Sequence, residues 1–249
     1  MRNLFALLYK DVVHTVKKPW RIVGVLNKNK LLQWLNTLLL RSRIGKSWST
    51  YNSEQSFKKR VYSSYEDYLE HQKDKLQRID LSDYDIRYRY VLRERLEKLN
   101  VLWRSKTVLC LAARIGTEVK SFLDIGCFAV GLDINPGKDN RYVLYGDFHD
   151  IQFPSHSIDV VFTNSLDHAF DVEKVIDEIK RVLKPEGLLI IEAVRGSEEG
   201  KSPSFYESFW WSKVDDLVSL LESSQFRFVK RSPFDYPWDG EQLCFEKEK

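Results

Sequence analysis

From Val108 onward, apolar residues fall into short runs separated by helical stripes. Val108, Leu109 and Leu111 form a run of the length that fills a buried parallel strand, and Phe128, Ala129, Val130 and Leu132 form a second. Between them Gly116 supplies a turn. Val119, Phe122 and Leu123 give the i, i+3, i+4 stripe of a helix facing a sheet, and Gly126 closes that helix. Tyr142 to Tyr145 reads as a third strand and Ile158 to Phe162 as a fourth. A helix from about Val172 to Leu183 turns Val175, Ile176, Ile179 and Leu183 inward; Lys184-Pro185-Glu186-Gly187 stops it before a fifth strand, Leu188 to Ile191. Trp210 to Leu221 reads as a further helix, and Phe226–Arg231 with Gln242–Lys247 as a closing antiparallel hairpin. This succession predicts a doubly wound α/β domain: a seven-stranded, mostly parallel sheet with a helical extension before it.

The extension has two parts. Residues 1–55 carry apolar segments at 3–16 and 31–40, interrupted by Pro19 and Gly24, with Trp20, Trp34 and Trp48 among basic residues. The pattern suits a helix lying on a membrane surface or one packed on the body of the protein. Residues 49–56 read as a polar joint. Residues 56–103 follow as a helical lid ahead of the main domain, 104–249. Ser64 and Asp67 have capping-box spacing for a helix through about Arg78, with Tyr65, Tyr68, Leu69, Gln72 and Leu76 inward. Ser82 and Asp85 repeat the device ahead of Tyr84, Tyr88, Val91, Leu92, Arg95, Leu96 and Leu99. Such tyrosine-rich helices either cover a site or only pack.

Charge sharpens this division. The net charge of +3 conceals 13 Lys and Arg against two acids in residues 1–60, and 26 against 34 in the remainder. A basic arm on an acidic body makes an anionic membrane surface, met through residues 1–50, a candidate partner. The longest apolar run, Leu31 to Leu40, is broken by Gln33 and Asn36 and falls short of the roughly 20 residues a span requires. No secretory leader is evident. Cys110, Cys127 and Cys244 lack metal-site or disulfide-framework spacing, which fits a reducing, cytoplasmic setting, peripheral to the membrane if the arm binds one.

The chemistry gathers where the strands end. Asp133 closes the second strand about 20 positions beyond the first turn, the place from which a βαβ unit holds a ribose by its hydroxyls. With GLDINPG at 131–137, GDFHDIQFP at 146–154 and IDVVFTNSLDHAFDVEKVIDEIKRVLKPEGLLIIE at 158–192, residues 104–247 resemble the class I S-adenosylmethionine-dependent methyltransferases. The resemblance implies S-adenosylmethionine as cofactor, held by Ala112, Arg114, Gly116, Asp133, Ile134, Asp147, Phe148, Asn164 and Ser165. In that scheme Asp133 takes the ribose, Asp147 the adenine amino group and Phe148 the adenine ring. Asn164 and Ser165 stand near the methionine portion and the acceptor. Simpler roles compete: Asp133 as the cap of Asn135-Pro136, Asp147 as a loop cap.

The first glycine loop departs from the family's VLDxGxGxG, with Cys110 at the acid, Ala112 and Arg114 at the first two glycines and Gly116 alone kept. Either Arg114 swings out to pair with the methionine carboxylate, or the loop has lost its cofactor and the domain is a scaffold or interaction protein. Glu118 reads as a first-turn helix stabiliser. His168, with Asp167 beside it, is the candidate catalytic base for a hydroxyl acceptor, or else only packs. His149 and His156 read as surface residues, and no metal is expected. A dinucleotide oxidoreductase is disfavoured because Ala-Ala-Arg-Ile-Gly offers no flat surface to a pyrophosphate. The tip Asn-Ser-Leu-Asp is not the proline-aromatic tetrad of nucleic-acid amino-methylating enzymes. A small-molecule or glycan acceptor follows, with no nucleic acid.

Overall fold

The computed structural model describes residues 32, 39–40, 44, 47–51, 56–74 and 81–249. Most of the basic arm, including its amphipathic segments, and the expected helix end near Arg78 lie outside them. The body is built on a seven-stranded sheet formed by β3 (Thr107–Leu111), β4 (Phe128–Asp133), β5 (Val143–Tyr145), β6 (Ile158–Thr163), β7 (Leu183–Val194), β9 (Phe226–Phe234) and β10 (Gly240–Lys247). Their order is β5-β4-β3-β6-β7-β10-β9. The first five are parallel, and β10 runs antiparallel between β7 and β9. The chain leaves β3 for one half of the sheet and returns to β6 for the other, so a crevice opens beyond the carboxyl ends of β3, β4 and β6.

Helices cover both faces. α4 (Val172–Val182) is the clearest product of its sequence: Asp171 Oδ1 accepts from the Lys174 N–H at 3.1 Å, and Val175, Ile176, Ile179 and Val182 are all buried. Such a cap contributes about 1 kcal/mol, and each buried aliphatic side chain about 1.5–3 kcal/mol. α3 (Thr117–Asp124) buries Val119 and Phe122 but leaves Leu123 exposed; an eight-residue helix carries its stripe off the core in the last turn. Phe128 is likewise exposed, because β4 enters the sheet at its rim and becomes buried only from Gly131.

The segment expected as a lid contains α1 (Tyr65–Asp74) and α2 (Ser82–Glu97). Ser64 Oγ accepts from the Asp67 N–H at 3.2 Å, as the spacing predicts. On α2 the expected cap is replaced: Leu81 stands at the N-cap, and Asp85 instead takes Thr117 Oγ1 at 2.7 Å and Lys120 Nζ at 2.8 Å, binding α2 to α3. Tyr88, Leu92, Leu96 and Leu99 are buried beneath it.

Three expectations are corrected. Trp210 and Trp211 are not helical: Phe209–Trp211 is β8, and the helix, α5, spans Val214–Ser223. The supposed joint contains β1 (Trp48–Thr50), which pairs with β2 (Phe57–Arg60), itself paired with β8 in a small antiparallel sheet. The partner strands are about 150 residues apart in sequence, so no local pattern announces them. Lys184–Gly187 lies within β7, where the register against β6 jumps from Ile158↔Leu183 to Val160↔Leu188 and Glu186 turns to φ 60°. Cys110, Cys127 and Cys244 are buried free thiols.

Candidate functional site

The altered glycine loop keeps a glycine-like backbone. Ala112 and Arg114 both adopt the left-handed region, at φ 53° and 44°, and Gly116 follows at φ 82°. A Cβ on Gly116 would stand 2.7 Å from Tyr142 Cβ, so the glycine of this loop is fixed by contact as well as conformation. Left-handed geometry costs a non-glycine residue roughly 1–2 kcal/mol. Asp133 helps hold it: Oδ2 accepts from the Arg114 N–H at 2.9 Å and Oδ1 from the Asn135 N–H at 2.7 Å. The turn-capping role of Asp133 is therefore present, and the same carboxylate borders the crevice.

The crevice is lined by Ala112, Arg114, Asp133, Ile134, Phe148 and Ser165, with His168 at its far end. Tyr68 and Gln72 of α1 roof it. Seven of the eleven residues singled out in the sequence thus meet around one space. Gly116 stands behind them as the N-cap of α3.

Asp147 faces elsewhere. Its Oδ1 accepts from the His149 backbone N–H at 2.9 Å and lies 2.7 Å from His149 Nδ1, and its Oδ2 accepts from the Tyr65 hydroxyl. Burial opposes ionisation, but the His149 and Tyr65 hydrogen bonds hold Asp147 below the usual carboxylate range. His149 is correspondingly buried and not the surface residue expected: its Nε2 accepts from the N–H groups of Phe170 and Asp171 at 3.1 and 3.2 Å. Tyr65 and Tyr68 pack edge-on against its ring. This linkage fastens α1 over the crevice. The sequence signal for it was the tyrosine pair on α1, which lacked a partner until the fold supplied His149.

A second space adjoins the first, sharing Arg114 and His168 with it, and has a cavity volume of about 240 Å³. Asn164, Asp167, Glu192 and Glu207 border it, with three tryptophans. His168 is held by its Nδ1, 2.9 Å from the Tyr206 carbonyl oxygen; that carbonyl takes the N–H tautomer and makes Nε2 the acceptor nitrogen. Asp167 Oδ1 is 3.8 Å from Nε2, too far for a direct hydrogen bond. The side-chain donor atoms of Asp167, His168 and Glu207 lie within 4.8 Å of one another. Glu207 was not singled out in the sequence, since only β8 brings it here.

Behind the cavity runs a buried polar chain. Asn164 Nδ2 donates to Glu118 Oε1 at 2.9 Å and to Tyr88 Oη at 3.1 Å, and Tyr88 Oη donates to Glu192 Oε2 at 2.6 Å. Glu192 also meets Arg95 at 2.9 Å and Gln242 Nε2 at 3.0 Å. Burial raises both carboxyls. For Glu192 the Arg95 charge and its hydrogen bonds offset this in part. Glu118 reaches about 7 despite the Arg114 charge and the Asn164 amide. Glu118 is thus a buried acid of the site as well as a first-turn residue.

The fold is a doubly wound α/β domain with its crevice beyond the carboxyl ends of the strands, where such sheets take nucleotide-type ligands. Residues 109–191 match the family model of a methyltransferase domain. That match spans a third of the chain, and the fold around it is the one shared by class I S-adenosylmethionine-dependent methyltransferases. Similar solved structures include a Burkholderia thailandensis 1,6-didemethyltoxoflavin-N1-methyltransferase with bound 1,6-didemethyltoxoflavin and S-adenosylhomocysteine, at 14% identity and TM-score 0.58, covering 80% of this chain and 99% of that one. A Pyrococcus horikoshii protein is similar at 21% identity and TM-score 0.54, covering 68% and 94%. An Aquifex aeolicus S-adenosylmethionine-dependent methyltransferase is similar at 18% identity and TM-score 0.51, covering 62% and 88%. A search of curated protein sequences found no match.

Proposed function

We propose that the protein transfers a methyl group to a small-molecule acceptor bound in the cavity beside the crevice. The observation that carries this reading is the junction of the two spaces at Arg114 and His168. The crevice fits the cofactor by its donor set: a carboxylate at the end of β4 for the ribose hydroxyls, Ile134 and Phe148 as apolar walls for adenine, and left-handed backbone at Ala112 and Arg114 that admits close approach. Arg114 is the cationic group positioned for the methionine carboxylate, with Asn164 and Ser165 beyond it. Asp147 serves in this scheme as the anchor of α1.

The bound cofactor supplies an activated methyl at a sulfonium. The protein contributes alignment, which can remove roughly 7–11 kcal/mol of barrier. His168, with its tautomer set by Tyr206, accepts the acceptor's proton at Nε2, and Asp167 stabilises the resulting imidazolium from 3.8 Å. Tyr68 and Gln72 limit the entry of water from the α1 side.

Calorimetry with S-adenosylhomocysteine tests the scheme. Asp133→Asn keeps one acceptor oxygen but removes the charge, and is expected to weaken binding by about tenfold. Equal affinity in wild type and variant rejects the ribose role of Asp133. Absence of heat from the wild type would favour the scaffold reading.

A further inference from the structure

We propose that the acceptor is an amine that also carries an oxygen able to accept hydrogen bonds, held as its ammonium form in the cavity bordered by Asp167, His168 and Glu207. This rests on the methyl-transfer reading and names the substrate class of the same site. Two sets of observations support it. The carboxylates of Asp167 and Glu207 gather with a His168 ring nitrogen within 4.8 Å, in a cavity also lined by Trp210, Trp211 and Trp238. Carboxylates set among indole rings are the chemistry that recognises an organic cation, through charge and through the ring quadrupoles. A bare metal ion would use the three polar groups but has no use for the rings.

The second set is the unmet hydrogen bonding. Among the described residues, Trp210 Nε1, Trp238 Nε1 and Glu207 Oε2 are buried without a hydrogen-bond partner. Trp210 is 3% exposed. Trp211, its stacked neighbour, satisfies its own N–H on the Val194 carbonyl at 2.9 Å, so orphaned indoles are not a general property of this wall. Buried polar atoms left unpaired cost about 1–3 kcal/mol each, a cost that a ligand bearing both kinds of group would relieve. An ammonium donates to Glu207 Oε2, and an oxygen on the same molecule accepts from the indole N–H groups.

The reaction balances. The ammonium gives one proton to His168 Nε2. The freed nitrogen lone pair then forms the N–CH3 bond as the S–CH3 bond breaks, and that bonding pair stays on sulfur. A neutral thioether leaves, and the methylated amine carries the positive charge.

The test is calorimetry on full-length protein saturated with S-adenosylhomocysteine, using the near-isosteric probes phenethylamine, 2-phenylethanol and phenylacetate, with 2-amino-1-phenylethanol to add the oxygen. Phenethylamine is expected to bind about tenfold or more tighter than the alcohol, with phenylacetate weakest. Glu207→Gln should remove that preference. Trp210→Phe should cut the added affinity of 2-amino-1-phenylethanol over phenethylamine, because one of the two free indole N–H donors is lost. Binding of S-adenosylhomocysteine by each variant confirms its fold. An alcohol or carboxylate preference overturns the proposal, as does a Mn²⁺ titration showing that the ion binds and displaces phenethylamine. Failure of the wild type to bind S-adenosylhomocysteine removes the methyl-transfer reading itself, whereas cofactor binding without amine preference removes only this inference.

Discussion

Glu118 provides a direct measure of what the buried polar chain costs. It sits in the first turn of α3, 5% exposed, with the Asn164 amide 2.9 Å from Oε1. Burial lifts its pKa from 4.5 to about 7. As pH rises above 4.5 the unfolded chain releases this proton first, so the folded state then binds more protons and stability falls. The fall ends once the pH passes the folded value near 7. That rise, at about 1.4 kcal/mol for each tenfold change, sets the loss at roughly 3 kcal/mol. Glu118→Gln keeps an oxygen for Asn164 and removes the titration. Urea unfolding of both proteins should show no gain for the variant near pH 4.5, with a gain of about 2–3 kcal/mol appearing by about pH 8. A difference that stays the same at every pH would refute the reasoning, because a pure packing effect does not titrate.

Other outcomes follow from the same geometry. Arg114→Gly relieves a left-handed residue and should stabilise the fold by about 1 kcal/mol in urea unfolding, yet weaken S-adenosylhomocysteine in calorimetry by about tenfold; tighter binding would show that the side chain only obstructs. Tyr65→Phe removes the hydroxyl donated to Asp147 and should lower stability by about 1–2 kcal/mol and speed amide exchange along α1. Unchanged exchange would mean that ring packing alone holds the helix. Full-length protein should co-sediment with anionic vesicles more than a form lacking residues 1–46, and lose that difference at high salt. Equal partitioning would discard a membrane role for the arm.

How much of this was written locally can be judged residue by residue. The runs at 108–111 and 158–162, the stripe of α4 with its Asp171 cap, and Asp133 at a strand end follow from periodicity and turn chemistry, since each depends on neighbours a few positions away. These alone imply the parallel sheet and the place of its crevice, because a doubly wound sheet must open where its connections diverge. Other features depend on distant partners. Trp210 reads as helical until β2 arrives to pair with β8, and only that pairing carries Glu207 to His168. His149 looks like a loop residue until α1 folds over it, and Asp147 then bonds both His149 and the Tyr65 hydroxyl of that helix. Ala112 and Arg114 look like damage to a glycine motif. The structure shows instead that the loop keeps its left-handed path, pinned by the hydrogen bond that the Arg114 N–H donates to Asp133. Sequence settled what each segment is, through short-range sterics and burial; tertiary contact decided which polar groups face one another, and so what the second cavity can recognise.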